Sequence, residues 1–71
     1  MTQRLTLQVE RERQGRSRAD VARAAGINNT TYGWAERQRY RLLDSQLIKV
    51  ARALGWPVED REALLEAADH D

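Results

Sequence analysis

The sequence predicts an all-α fold, a compact bundle of five helices, and three observations carry that prediction. Apolar residues recur at the three- and four-residue spacing of a helix face. Helix-start and helix-stop residues, among them Ser17, Gly26, Asn28, Gly55 and Pro57, divide these stretches. No segment reads as a strand. With 71 residues the chain is near the lower size at which one core is stable without staples, so a single domain, 1–71, is expected.

Thr6 is placed to cap a first helix over residues 7–14. Ser17 caps a second, and Asp20 three residues on can return the bond as a capping box does, so that helix starts at Arg18 and reaches Ala25. Val21, Ala22 and Ala25 give it an inward stripe, and Gly26 supplies the left-handed residue that ends it. Ile27 turns inward. Asn28 then caps a third helix running from Asn29 to about Arg37, with Thr31, Tyr32 and Ala35 toward the core and Asn29, Thr30, Gly33 and Trp34 outward.

Two short helices hinged at one glycine make a helix-turn-helix, here spanning 17–37. Beyond it a loop, 38–43, leads to a fourth helix capped by Asp44 or Ser45. Leu47, Ile48, Val50, Ala51 and Leu54 form its apolar side, and Gly55 ends it. Pro57 suits the first turn of a fifth helix, Glu59 and Asp60 sit at its positive end, and Val58, Leu64, Leu65 and Ala68 are its apolar positions. The last four or so residues are expected to fray.

Composition narrows the function classes. The chain has no cysteine, which excludes disulfides and thiolate metal sites, and its one histidine, His70, cannot assemble a metal site alone; no metal and no cofactor are expected. No apolar run approaches the ~18 residues of a membrane span, and the start is no signal peptide, so a cytoplasmic protein without membrane contact is expected. No residue set offers a nucleophile with its base or a phosphate-cradling loop, so no catalytic residues and no enzyme activity are expected. The net charge is only +1, but it is unevenly spread. Residues 1–43 hold nine arginines against four acids; residues 44–71 hold three basic residues against seven acids. The basic portion carries the helix-turn-helix, as expected of a face turned to phosphates.

The pattern Gly15-x-Ser17-x-x-x-Val21-Ala22-x-x-Ala25-Gly26-Ile27, then Tyr32-x-x-Ala35-Glu36, then Leu47-x-x-Val50-Ala51-x-Ala53-Leu54-Gly55 resembles the Cro and repressor family of helix-turn-helix proteins. The similarity covers roughly residues 5–60 and implies a lambda-repressor-like DNA-binding domain. Residues 1–7 are also similar to the start of the Cro protein of phage lambda. The family resemblance implies that Arg11 and Glu36 form an interior salt bridge joining the first helix to the end of the third. Three departures from the family follow. Gln38 stands where glycine is usual, Ala35 where a bulky aliphatic is preferred, with Tyr32 and Tyr40 as candidates to supply the missing volume, and Arg61 where a leucine is expected to face the core.

Asn29 and Thr30, at the first exposed turn of the third helix, are the leading candidates for base contact in a major groove, the alternative being ordinary polar surface. Gly33 costs roughly 1 kcal/mol in a helix interior; it either lets backbone approach DNA or makes room for its large neighbours. Trp34 joins the base-contact set, where the family often has a polar or basic residue; its alternative is to fold back over the core. Arg18 replaces a common family glutamine and is expected to clamp phosphate, with guanine reading as a second role open to the same fork. Ser17, Asn28, Arg37, Arg39 and Arg41 complete the backbone-contact set. Trp56, Leu64 and Leu65 would form an exposed apolar patch for a dimer contact if the fifth helix were shifted in register.

The sequence therefore reads as a sequence-specific regulator binding double-stranded DNA as a homodimer, one that forms in solution or only on the operator, of the Cro or repressor type found in phages and mobile elements. The alternatives are an antitoxin that holds a toxin partner and autoregulates through the same fold, and a restriction–modification controller.

Overall fold

The computed structural model describes residues 4–68. They form α1 (Thr6–Arg13), α2 (Arg18–Ala25), α3 (Asn29–Glu36), α4 (Asp44–Leu54) and a 3₁₀ segment (Val58–Leu65). The only extended pairing among them is a single antiparallel bridge between Leu5 and Ala67. Residues 69–71, which include His70 and most of the end expected to fray, lie outside the described residues.

Leu7, Val21, Tyr32, Val50 and Leu64 are the largest fully buried side chains, and Ala22, Ala25, Ala35, Leu47, Ala51 and Leu54 fill the space between them. Burying each large one stabilises the fold by about 1.5–3 kcal/mol. Within this core α4 packs on α2 and on the 3₁₀ segment, α2 packs on α3, and α1 on the 3₁₀ segment. Ala35 and Tyr32 are buried in this core and Tyr40 packs against it, while a small cleft lined in part by Ala35 and Tyr40 stays open.

The second helix follows its local chemistry. Ser17 Oγ accepts from the Asp20 amide at 3.0 Å while Asp20 Oδ2 accepts from the Ser17 amide at 3.2 Å. That reciprocal pair satisfies two otherwise orphaned donors and starts the helix at Arg18. Gly26 closes it at φ 69. The end of α3 uses the same closure, with the Arg39 amide donating to Trp34 O at 2.9 Å and the Gln38 amide to Ala35 O at 3.1 Å, yet the left-handed residue is Gln38, at φ 64. A side chain in that conformation costs roughly 1–2 kcal/mol. The loop beyond is held by Gln46 Oε1, which accepts from the Tyr40 hydroxyl and from the Leu43 amide, both at 2.9 Å.

Two elements begin differently from expectation. Thr6 does not cap α1; it is the first helical residue, and its hydroxyl donates to Glu66 O at 3.0 Å. Neither Asp44 nor Ser45 caps α4, because Leu43 holds the cap position and Gln46 satisfies its amide. Asp44 falls in the first turn instead, where its charge favours the positive helix end.

The fifth helix is 3₁₀, with a break at Asp60 (φ −113, ψ 22). Side chains claim two carbonyls that an α-helical ladder would need: Trp56 Nε1 donates to Asp60 O and Arg61 Nη1 to Val58 O, both at 2.9 Å. After it, the Thr6 amide donates to Glu66 O at 2.8 Å and the Ala68 amide to Arg4 O at 2.9 Å. Ala68, expected among the frayed residues, is thus tied to the start of the domain.

Candidate nucleic-acid interface

Asn28 caps α3 as expected, its Oδ1 accepting from the Thr30 amide at 2.8 Å and from the Thr31 amide at 3.4 Å. The cap pins the first turn and leaves Asn29 and Thr30 exposed on it. Both line an open cleft of about 690 Å³ between α2 and α3, together with Ser17, Arg18, Gly33 and Arg37. Gly33 is buried as a residue, yet a Cβ there would meet nothing beyond its adjacent residues and its own helix backbone. It forms a recessed, bare stretch of helix at which another molecule can approach the backbone.

Beneath the cleft lies the ion pair that the resemblance implied. Arg11 Nε donates to Glu36 Oε2 at 2.7 Å and Arg11 Nη2 to Glu36 Oε1 at 3.1 Å, both buried, while Arg11 Nη1 donates to Arg16 O at 2.8 Å. Arg18 joins this pair from the cleft side, its Nε donating to Glu36 Oε1 at 3.0 Å. Burial disfavours the charged Glu36 carboxylate, but the hydrogen bonds from its partners outweigh that and hold it below the ordinary carboxylate range. The same burial, reinforced by the neighbouring Glu36 charge, pushes the Tyr32 phenol above its ordinary value.

Six of the sequence-predicted DNA contacts therefore share one cleft. Asn28, Trp34, Arg39 and Arg41 do not line it. Trp34 is 48% exposed, so it does not fold back over the core. Arg37 and Arg39 are exposed; Arg41, also exposed, borders a separate small cleft of about 160 Å³ with Leu5, Ala35 and Tyr40.

The dimer patch expected from Trp56, Leu64 and Leu65 is not present as such. Leu64 is completely buried, and Trp56 and Leu65 are half-buried against the core, because Arg61 turns away to Asp44 and leaves the inward place to Leu64. The large apolar residues that are exposed are Trp34 and Leu43. Sequence reasoning missed two features, the exposed Leu43 and the Arg18–Glu36 contact. The resemblance assigned Glu36 to Arg11, and nothing in the residues pointed to Arg18 as a second partner.

A capped α2, a one-glycine turn and an α3 whose polar first turn opens on an arginine-bordered cleft define a helix-turn-helix domain of the DNA-binding class. The chain belongs to the helix-turn-helix domain family, whose model matches residues 4–64. No curated protein and no solved structure matches the chain, and the similarity of residues 1–7 to lambda Cro, which falls partly outside the described residues, has no support from these comparisons. No helix among the described residues is long and apolar enough to cross a membrane.

Proposed function

We propose that this protein is a sequence-specific transcriptional regulator of the Cro or repressor type, without catalytic activity, acting on a pseudo-palindromic operator as a homodimer. The observation that carries this reading is the exposed first turn of α3, where Asn29 and Thr30 enter a cleft bordered by Arg18 and Arg37. An asparagine there suits adenine, and a threonine methyl suits the thymine methyl. Arg37 and Arg39 supply phosphate contacts along the groove wall.

A single domain of this size reads only a few base pairs, too few to locate a site among ~10⁶ or more competitors. Two copies are needed, with half-sites about 10 bp apart. Occupancy of such an operator would repress by excluding polymerase. A phage or mobile-element origin fits a small regulator of this type.

Selection of bound sites from a random duplex library at fixed near-physiological salt tests the reading. A two-fold motif with half-sites one helical turn apart is the expected result. Weak, salt-sensitive binding with no enriched motif would refute it and favour a protein partner such as a toxin.

A further inference from the structure

The buried Glu36 carboxylate serves two arginines of different exposure. The Arg11 side chain is 10% exposed, that of Arg18 is 41% exposed, and Glu36 itself is at 0%. Arg11 takes both carboxylate oxygens from inside the core, so architecture is already provided without Arg18. Arg18 adds one bond, through Nε, to Oε1. Among the described residues its terminal nitrogens, Nη1 and Nη2, make no hydrogen bond, and Arg18 lines the same cleft as Asn29, Thr30 and the bare Gly33.

We propose that Arg18 reads a guanine, and that Glu36 is the positioning residue that aims it. The inference rests on the assignment of the α2–α3 cleft to the DNA groove and names the base that one of its walls selects. With Nε committed to Glu36, the donors left to Arg18 are its terminal pair, which matches the O6 and N7 acceptors on the major-groove edge of guanine.

A phosphate contact makes little use of this arrangement. Phosphate attraction is mainly a matter of charge, and a carboxylate 3.0 Å from the guanidinium offsets part of that charge. Fixing the guanidinium plane against a buried anchor instead removes rotational freedom that would otherwise be lost on binding. A planar base edge rewards that fixing; a phosphate, approachable from many directions, does not.

The test is site selection with three proteins: the wild type, Arg18→Gln and Glu36→Gln. The wild type is expected to yield a two-fold motif with a guanine in each half-site, and Arg18→Gln to lose the preference at that guanine by ~5- to 100-fold, the span of one bidentate base contact, with the other positions unchanged. Compared at matched folded fraction, Glu36→Gln should lose the same guanine preference and keep the preference assigned to Asn29, whereas a purely architectural Glu36 would weaken all sites alike. Should Glu36→Gln fail to fold, Arg18→Lys replaces it; it keeps the charge but not the edge held by Glu36, so guanine preference should fall while the salt slope stays the same.

Unchanged base preferences in Arg18→Gln, with the salt slope shallower by about one unit, would make Arg18 a phosphate contact and overturn the proposal. Full guanine preference in Glu36→Gln, or in Arg18→Lys where it replaces that variant, would overturn the positioning role of Glu36. Absence of any motif for the wild type would overturn the groove assignment and the proposal with it, an outcome distinct from the other two.

Discussion

Two arginine–carboxylate pairs in this domain have nearly the same geometry and opposite surroundings. Arg11 meets Glu36 with two hydrogen bonds of 2.7 and 3.1 Å, and Arg61 meets Asp44 with two of 2.7 and 3.2 Å. The first carboxylate is sealed in the core under the α2–α3 cleft, while the second is 61% exposed at the start of α4. Water and salt can replace Arg61 for Asp44, but neither reaches Glu36. Nearly equal bond lengths therefore carry different consequences, and burial decides which pair the fold depends on.

The sharpest way to break this contrast is to remove one buried partner. Arg11→Ala leaves the buried Glu36 charge with only its single bond from Arg18 and is expected to cost up to about 3–5 kcal/mol in urea unfolding, a large share of what a domain this small holds. Removing both charges separates the worth of the pair from the cost of breaking it. The double variant Arg11→Met with Glu36→Met should recover most of that loss, since well-packed apolar replacements of a buried pair are commonly neutral or stabilising. A double variant as unstable as Arg11→Ala would show that the ion pair itself holds α1 to α3.

Acid gives a gentler perturbation. The Glu36 carboxyl titrates below its ordinary value of 4.5 in the folded protein, so its contribution is complete above that pH and is lost as pH falls through the lower folded value. Thermal melts from neutral pH downward should show stability declining in that acid range, and Glu36→Gln should flatten the decline. The smallest effect is expected at the surface. Asp44→Ala should leave the melting temperature within the scatter of repeated melts, and any difference from wild type should disappear at 1 M salt, where the Debye length is about 3 Å.

The same division between local and distant partners explains what could be read from the residues alone. The helix-turn-helix was legible to the residue, α2 at both ends and the cap of α3, because Ser17, Asp20, Gly26 and Asn28 act on amides no more than three positions away or through their own backbone. The left-handed turn at Gln38 was not legible from the residue, since glutamine has no preference for that conformation and only the family's usual glycine marked the place. Thr6 misled, since a cap residue by type spends its hydroxyl on Glu66, 60 positions on. The 3₁₀ segment was illegible for a related reason: two of its carbonyls accept from the side chains of Trp56 and Arg61, and in the resulting segment Leu64 is buried, so the expected dimer patch is absent. Within the cleft, the exposed residues of α3 followed from helical period, but the tie from Arg18 to Glu36 joined two helices and needed the fold.

The bridge between Leu5 and Ala67 has a consequence for how the domain can be threaded. With the Ala68 amide 2.9 Å from Arg4 O, the two ends of the described chain run side by side at the spacing of neighbouring strands. A covalent tie of a few residues there would turn the domain into a ring. A new opening in the exposed stretch around Arg39 would then yield a circular permutant that begins with α4, closes through the old ends, and finishes on α3. The order in which the chain visits its helices is thus separable from the object they build, and α3 can be offered as the last element synthesised instead of the third.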